Sequence, residues 1–216
     1  MIQNNKNSND LNKIEERYVK EVYENIAIHF SNTRIYTWNW VKNFIENIPI
    51  NSTIADIGCG NGRNMMNKNY NFIGIDNCEN LLKICKKNNL NVLLSNMTNI
   101  PLNNNSCDAI ICIAAFHHLY NETNRILCLQ ELNRILKDKG EILISVWSIN
   151  QPPKTKRTFN NYGDNLISWN KFGNIYRRYY YIFQITEIYN LFKICGFLVK
   201  EHKYDCGNEI FILNKI

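Results

Sequence analysis

The sequence predicts an α/β domain: a seven-stranded, mostly parallel sheet, doubly wound with helices on both faces, whose last strand runs in reverse. Three observations carry this. Short apolar runs alternate with stretches of helical period from residue 53 to residue 147, the rhythm of successive βα units. The first run passes into Ala55-Asp56-Ile57-Gly58-Cys59-Gly60-Asn61-Gly62, a strand that closes on an acid and a glycine turn. Two further runs, 197–203 and 209–213, end the chain as a hairpin.

Residues 1–12 are polar and Asn-rich and predict a disordered tail without the apolar core of a signal peptide. A single domain then covers 13–216. Ile14, Tyr18, Val22 and Ile26 recur every four residues and predict a helix over 13–30. A second helix over 38–47 is stopped by Pro49. Strand one is 53–57, followed by a short helix at 63–67. Strand two, 71–75, runs into Asp76. Leu81, Leu82 and Cys85 share one side of a helix at 79–88. Strand three is 91–94. Strand four, 108–114, is a continuous apolar run, as expected where both faces are covered. A helix over 122–136 should stop at Lys137-Asp138-Lys139-Gly140, with the glycine past its end. Strand five is 141–147. The rhythm breaks over 149–182, rich in basic and aromatic residues, which reads as an insertion over the mouth of a site. A helix resumes over 186–195 and ends at Gly196.

Bulk properties set limits. A chain of 216 residues can bury a sizeable core. The net charge of +6 permits an anionic partner such as RNA without demanding one. No C-x-x-C pair occurs among the eight cysteines, and several lie in apolar runs. They predict reduced core thiols, no zinc or other metal site in this chain, and a cytoplasmic location, with the nucleus as the other compartment. No apolar run approaches the ~20 residues of a membrane span.

Ligands of doubly wound sheets bind at the carboxyl ends of the strands. Asp56, Asp76, Asn96 and Ala114 all fall there. Gly58, Gly60 and Gly62 predict a turn that lets a ligand press on backbone. Asp76 stands where such folds place the acid that accepts ribose hydroxyls, with a cap on the following helix as the lesser reading. The spacing is G-x-G-x-G, not the G-x-G-x-x-G of a pyrophosphate binder, and Asp56 suits a cation. These features point to S-adenosylmethionine, with Asp56 attracting its ammonium and Asn96 and Met97 framing its adenine.

Longer stretches carry a resemblance. They are Val22-Tyr23-Glu24-Asn25-Ile26-Ala27-Ile28-His29-Phe30-Ser31-Asn32-Thr33-Arg34, the glycine motif, Ile113-Ala114-Ala115-Phe116-His117-His118-Leu119, Val146-Trp147-Ser148-Ile149-Asn150-Gln151, Arg178-Tyr179-Tyr180-Tyr181-Ile182-Phe183 and Tyr204-Asp205-Cys206-Gly207-Asn208. Over about residues 20–214 the chain resembles a Rossmann-like class I S-adenosylmethionine-dependent methyltransferase. Its branch is the eukaryotic wobble-uridine tRNA methyltransferases, which include the methyltransferase domain of an AlkB-homologue protein. The resemblance implies methylation of the carboxylate of 5-carboxymethyluridine in the tRNA anticodon loop. It departs from the family where Tyr36-Thr37-Trp38-Asn39 replaces Lys-Pro-Trp-Pro, and where Asn96 replaces an acid.

Arg34 is the candidate for holding the acceptor carboxylate or a nearby phosphate, since a guanidinium fork matches either. His117 is expected to face the substrate and Arg34 and His117 to form the catalytic pair. Trp38, Trp147, Arg178, Tyr179 and Tyr180 would hold the anticodon loop. Lys154, Lys156 and Arg157 read as phosphate contacts or as a solvated loop. Strand three should be a sheet edge open to strand addition, where the resemblance implies a small zinc-binding activator subunit. Two other readings stay open at this point: a methyltransferase with a small-molecule or protein acceptor, and a catalytically silent module that binds cofactor or tRNA.

Overall fold

The computed structural model describes residues 13–155 and 157–216. The tail expected over 1–12, and Lys156, lie outside the described residues. Seven strands form the main sheet: β1 (Thr53–Ile57), β2 (Asn71–Asp76), β3 (Val92–Leu94), β4 (Cys107–Ile113), β5 (Leu136–Trp147), β8 (Phe197–Asp205) and β9 (Asn208–Lys215). Their spatial order is β3-β2-β1-β4-β5-β9-β8. Neighbours pair in parallel from β3 to β5, and β9 alone runs antiparallel to both its neighbours. The remaining strands, β6 (Gly163–Lys171) and β7 (Asn174–Ile182), make a separate hairpin inside the 149–182 segment.

The α-helices among the described residues include α1 (Glu21–Asn32), α2 (Asn39–Glu46), α3 (Glu79–Lys87), α4 (Glu122–Ile135) and α5 (Ile185–Ile194). A wider π turn, Glu16–Lys20, leads into α1. Alternation along β4 sorts them into two layers. Ile110 and Cys112 pack with Leu129 and Leu132 of α4 and Ile188 and Phe192 of α5. Ala109, Ile111 and Ile113 pack with Val41 and Phe44 of α2 and Leu82 and Cys85 of α3. Each fully buried Leu, Ile or Phe of these layers contributes about 1.5–3 kcal/mol relative to an exposed one. Local signals fix the ends. The Asn121 side chain accepts from Asn124 N–H (2.7 Å) at the start of α4, Gln184 and Glu187 form a reciprocal cap on α5, and Gly196 (φ +80°) lets the chain turn back after it.

One boundary differs from expectation. Lys137-Asp138-Lys139-Gly140 is not a helix stop but the first turnless stretch of β5, which starts at Leu136 directly after α4. The register of β4 against β5 jumps between Cys107 and Ala109. Gly140 fills that irregularity: a Cβ there would lie 2.7 Å from the Asp108 carbonyl and 2.5 Å from Leu136 Cδ1. The glycine serves a close backbone approach rather than a left-handed cap.

Candidate active site

The carboxyl ends of β1, β2, β3 and β4 open onto a cavity of about 630 Å3, a size suited to a small-molecule ligand. One end is built by the glycine loop. Gly58 N–H and Cys59 N–H both donate to Ile75 O, at 2.8 and 3.1 Å. Gly60 N–H donates to Asp76 Oδ2 (2.8 Å) and Cys78 N–H to Asp76 Oδ1 (2.9 Å). Asp76 therefore both ties the loop to the start of α3 and lines the cavity. Asn77 N–H also reaches this carboxylate, and the three backbone donors leave one of its four lone-pair sites for a ligand hydroxyl. Burial raises its pKa, opposed by these backbone donors.

The three glycines differ. A Cβ on Gly58 would lie 2.3 Å from Ala115 Cβ, and one on Gly62 would lie 2.3 Å from Leu90 Cδ1. On Gly60 it would meet nothing nearer than 3.9 Å. Gly60 thus leaves space for a ligand, while Gly62 is required for packing behind the loop and does not line the cavity. Asp56 also lies one layer beneath the lining, 1% exposed, with Oδ2 lacking any partner. Burial lifts its pKa to about 7, against the pull of Arg63. Asn96, Met97 and Ala114 line the cavity as expected. Asn96 Oδ1 already accepts from Thr98 N–H (3.2 Å), leaving its second lone pair. Ala114 holds a left-handed φ of +54°, its N–H shared between the backbone and hydroxyl oxygens of Ser145, both at 3.1 Å.

The other end is cationic and aromatic. Arg34, Trp38, Trp147, Arg178 and Tyr180 all line it. Tyr179 does not. Successive residues of β7 face opposite ways, so Tyr179 points into a packed cluster with Ile14 and Val19 and donates to Asp164 Oδ1 (2.6 Å). Its expected role in holding RNA has no geometric basis.

The histidines also exchange places. His117 is fully buried and absent from the lining; its Nδ1 accepts from Trp147 N–H (3.0 Å), and Nε2 has no partner. Burial, then the neighbouring His118, holds its pKa well below the usual value. The tight turn Phe116–His118 rotates the next ring instead into the cavity. His118 Nδ1 lies 2.7 Å from Tyr179 O, which can only accept, so that nitrogen carries the proton. Nε2 must then accept from Tyr23 O–H (3.0 Å), and the Tyr23 oxygen is left to accept from Arg178 Nη1 (3.4 Å). Burial lowers the His118 pKa to about 3.

Aromatic faces seat the arginines. Arg63 lies 4.3 Å above Trp38, whose ring also stacks on Trp40. Trp147 stacks on Tyr180 (4.0 Å, 10°) and carries Arg157 at 4.2 Å. Arg34 sits over Phe30 and Arg178 over Trp169. Trp169 Nε1–H donates to His29 Nδ1 (3.1 Å), so the β6–β7 hairpin closes the cavity against α1. Tyr23, Arg63 and Trp169 were not singled out from sequence, and of the adjacent pair His117 and His118 the sequence reading favoured His117. Arg63 had a signal, its position directly after the glycine loop.

Comparison with known proteins agrees with this geometry. Residues 55–144 match the family described as a methyltransferase domain. The tRNA (carboxymethyluridine(34)-5-O)-methyltransferase of Schizosaccharomyces pombe is 34% identical over 225 residues, covering 93% of this chain and 97% of that protein. The chain belongs to this methyltransferase family. The mouse member, ALKBH8, is 39% identical over 147 residues, 68% of this chain, but the match spans only 22% of the mouse protein. The fold matches a Methanosarcina mazei S-adenosylmethionine-dependent methyltransferase (TM-score 0.68, 17% identity, 84% of this chain and 99% of that one). It also matches a Burkholderia thailandensis N1-methyltransferase with bound S-adenosylhomocysteine (TM-score 0.70, 11% identity, 100% and 93%). A third fold match is the methyltransferase in complex with the Haloferax volcanii Trm112 activator (TM-score 0.64, 14% identity, 89% and 97%). The residues at the Asp76 end fit S-adenosylmethionine: a carboxylate on the cavity wall with a lone pair to spare, a buried acid beneath it, and open space at Gly60.

Proposed function

We propose that the chain methylates the carboxylate of 5-carboxymethyluridine at the wobble position of tRNA, forming the methyl ester. The observation that carries this is Arg34 and Arg178 facing one cavity with the Asp76 cofactor end, neither arginine ion-paired among the described residues. S-adenosylmethionine, when bound, supplies a methyl activated on its sulfonium. Asp76 would hold its ribose and Gly60 would pass beside it. Arg34 and Arg178 would orient the acceptor carboxylate. That carboxylate is ionised at neutral pH, so no residue has to remove a proton. The geometry agrees: His117 does not line the cavity, and both ring nitrogens of His118 are engaged, by Tyr179 O and by Tyr23 O–H. Transfer neutralises charge, so the arginines act by alignment, where positioning can be worth ~7–11 kcal/mol.

The tRNA anticodon loop is the proposed macromolecular substrate, supported by the names of the relatives. β3 is a sheet edge with Leu94 58% exposed. We place there a small zinc-binding activator subunit of the Trm112 type, which pairs by strand addition. Labelled methyl transfer to tRNA carrying 5-carboxymethyluridine, with and without that subunit, tests the reading. Label released by mild alkali as methanol is expected. Alkali-stable label, or none despite cofactor binding, overturns it.

A further inference from the structure

The cavity carries more positive charge than the proposed reaction uses. Arg34, Arg63, Lys154, Arg157 and Arg178 line it, and among the described residues none of the five makes an ion pair. The two lining carboxylates do not answer them. Glu15 is engaged by Tyr120 N–H and Asn124 Nδ2, and Asp76 by the glycine loop and α3. Bound cofactor has a net charge of one positive, from sulfonium, ammonium and carboxylate. An acceptor carboxylate cancels that and no more.

The spare cations have a definite arrangement. Arg178 is at the floor, 4% exposed. Arg157 is half-buried above Trp147, and Lys154 is exposed at the rim. Lys154 lies in the short turn Pro153–Thr155, and Arg157 N–H donates to Thr155 Oγ1 (3.4 Å). The Nε atoms of Arg157 and Arg178 are both buried without a partner among the described residues. Trp147 already has Tyr180 stacked on it and Arg157 over it, so this wall presents N–H donors and not a bare ring to a base. Burial and the mutual repulsion of Arg34, Arg157 and Arg178 lower the pKa of Arg157.

We propose that Arg157 and Lys154 form a second anion subsite, which takes the backbone phosphate of the same nucleotide whose carboxylate meets Arg34 and Arg178. This rests on the acceptor reading above. A guanidinium and an ammonium at the rim match the two non-bridging oxygens of a singly charged phosphodiester. A nucleotide whose base substituent reaches the floor must carry its backbone across that rim. The site thereby distinguishes a nucleotide within a chain from a free nucleoside.

Calorimetric titration of the protein loaded with S-adenosylhomocysteine tests this. The ligands are 5-carboxymethyluridine, its 3′,5′-bisphosphate, uridine 3′,5′-bisphosphate and inorganic phosphate. The carboxymethyl bisphosphate should bind about tenfold or more tighter than the nucleoside, the scale of one or two charge-assisted hydrogen bonds. Arg157→Gln with Lys154→Gln should remove that gain and leave nucleoside affinity within about twofold; Lys154→Gln alone, on an exposed side chain, should remove part of it. Equal affinity of nucleoside and bisphosphate, a gain retained in the double variant, or no heat from either ligand overturns the subsite. Inorganic phosphate competing as well as the bisphosphate reduces it to a simple anion site and also overturns it. Should uridine bisphosphate bind as tightly as the carboxymethyl form, the acceptor reading fails while the phosphate subsite stands.

Discussion

Tyr23 and His118 meet in a 3.0 Å hydrogen bond whose direction is fixed from both ends. The Tyr179 carbonyl takes the only proton of the neutral imidazole, so His118 accepts from the phenol. The phenol oxygen then faces the Arg178 guanidinium as an acceptor. With a pKa of about 3, His118 stays neutral at every working pH. Its depressed value contributes stability above about pH 6.5 that is lost as pH falls toward 3.

Tyr23→Phe keeps the ring and its edge contact with Phe30 but removes the link to Arg178. We expect the maximal methylation rate to fall about tenfold, the scale of one hydrogen bond to a charged group. Cofactor affinity should not change. Single-turnover rates beside a cofactor titration check this, and an unaltered rate rejects a positioning role for the pair.

Asp56 gives a pH dependence of the opposite sense. Its folded pKa of about 7 lies above the ordinary carboxylate value because the buried charge is poorly compensated. The contribution to stability is present below about pH 4 and is lost as pH rises through 7, on the order of a few kcal/mol in total. Thermal denaturation of the cofactor-free protein should show a falling midpoint between pH 5 and pH 8, flattened in Asp56→Asn. Binding of a cationic ligand group favours the ionised acid, so cofactor affinity should rise over the same interval in the parent chain only.

Gly58→Ala and Gly60→Ala should separate stability from binding. Both positions have left-handed φ, +72° and +57°, costing an alanine roughly 1–2 kcal/mol. Only at Gly58 does the new methyl also collide, 2.3 Å from Ala115 Cβ. Melting points should place Gly58→Ala well below Gly60→Ala. Calorimetry should show that Gly60→Ala, which folds, still loses cofactor affinity because its methyl enters the ligand's space.

Arg34→Ala and Tyr179→Phe form a second contrast. The first should lose most tRNA methylation with cofactor binding intact. The second removes a hydroxyl from a buried bond to Asp164 and should cost about 1–3 kcal/mol of stability with tRNA affinity unchanged. Reversal of these outcomes would return Tyr179 to the substrate surface.

Much of this molecule was legible in its residues, and the failures have physical causes. The strands of the sheet followed from apolar runs of the right length, of which 108–114 is the plainest; their spatial order came from the structure. The Asp76 end was legible because an acid after strand two and a glycine turn after strand one are sequence-local features. The acceptor end was not. Which of His117 and His118 enters the cavity depends on one tight turn, which no residue type reports. Alternation on β7 should have excluded Tyr179 once Arg178 was chosen, but the strand itself was not foreseen within 149–182. Lys137–Gly140 misled because a basic stretch before glycine also suits a strand bulge.

The roof of the cavity is joined across long stretches of chain. Trp169 reaches His29 over 140 residues, and Lys171 reaches the Asn25 carbonyl over 146. Closing such large loops is slow and entropically costly, so these contacts should form after the sheet. All seven strands of that sheet lie C-terminal to residue 52. Cutting the chain just before Trp38 would therefore spare every strand, yet remove Arg34, Tyr23, the surface on which the hairpin closes, and the Glu24 carboxylate that accepts from Glu79 and Asn80 N–H beside Asp76. The N-terminal helix thus serves both ends of the cavity, bracing the cofactor loop through Asn61 and closing the acceptor side through His29, and folding completes that closure last.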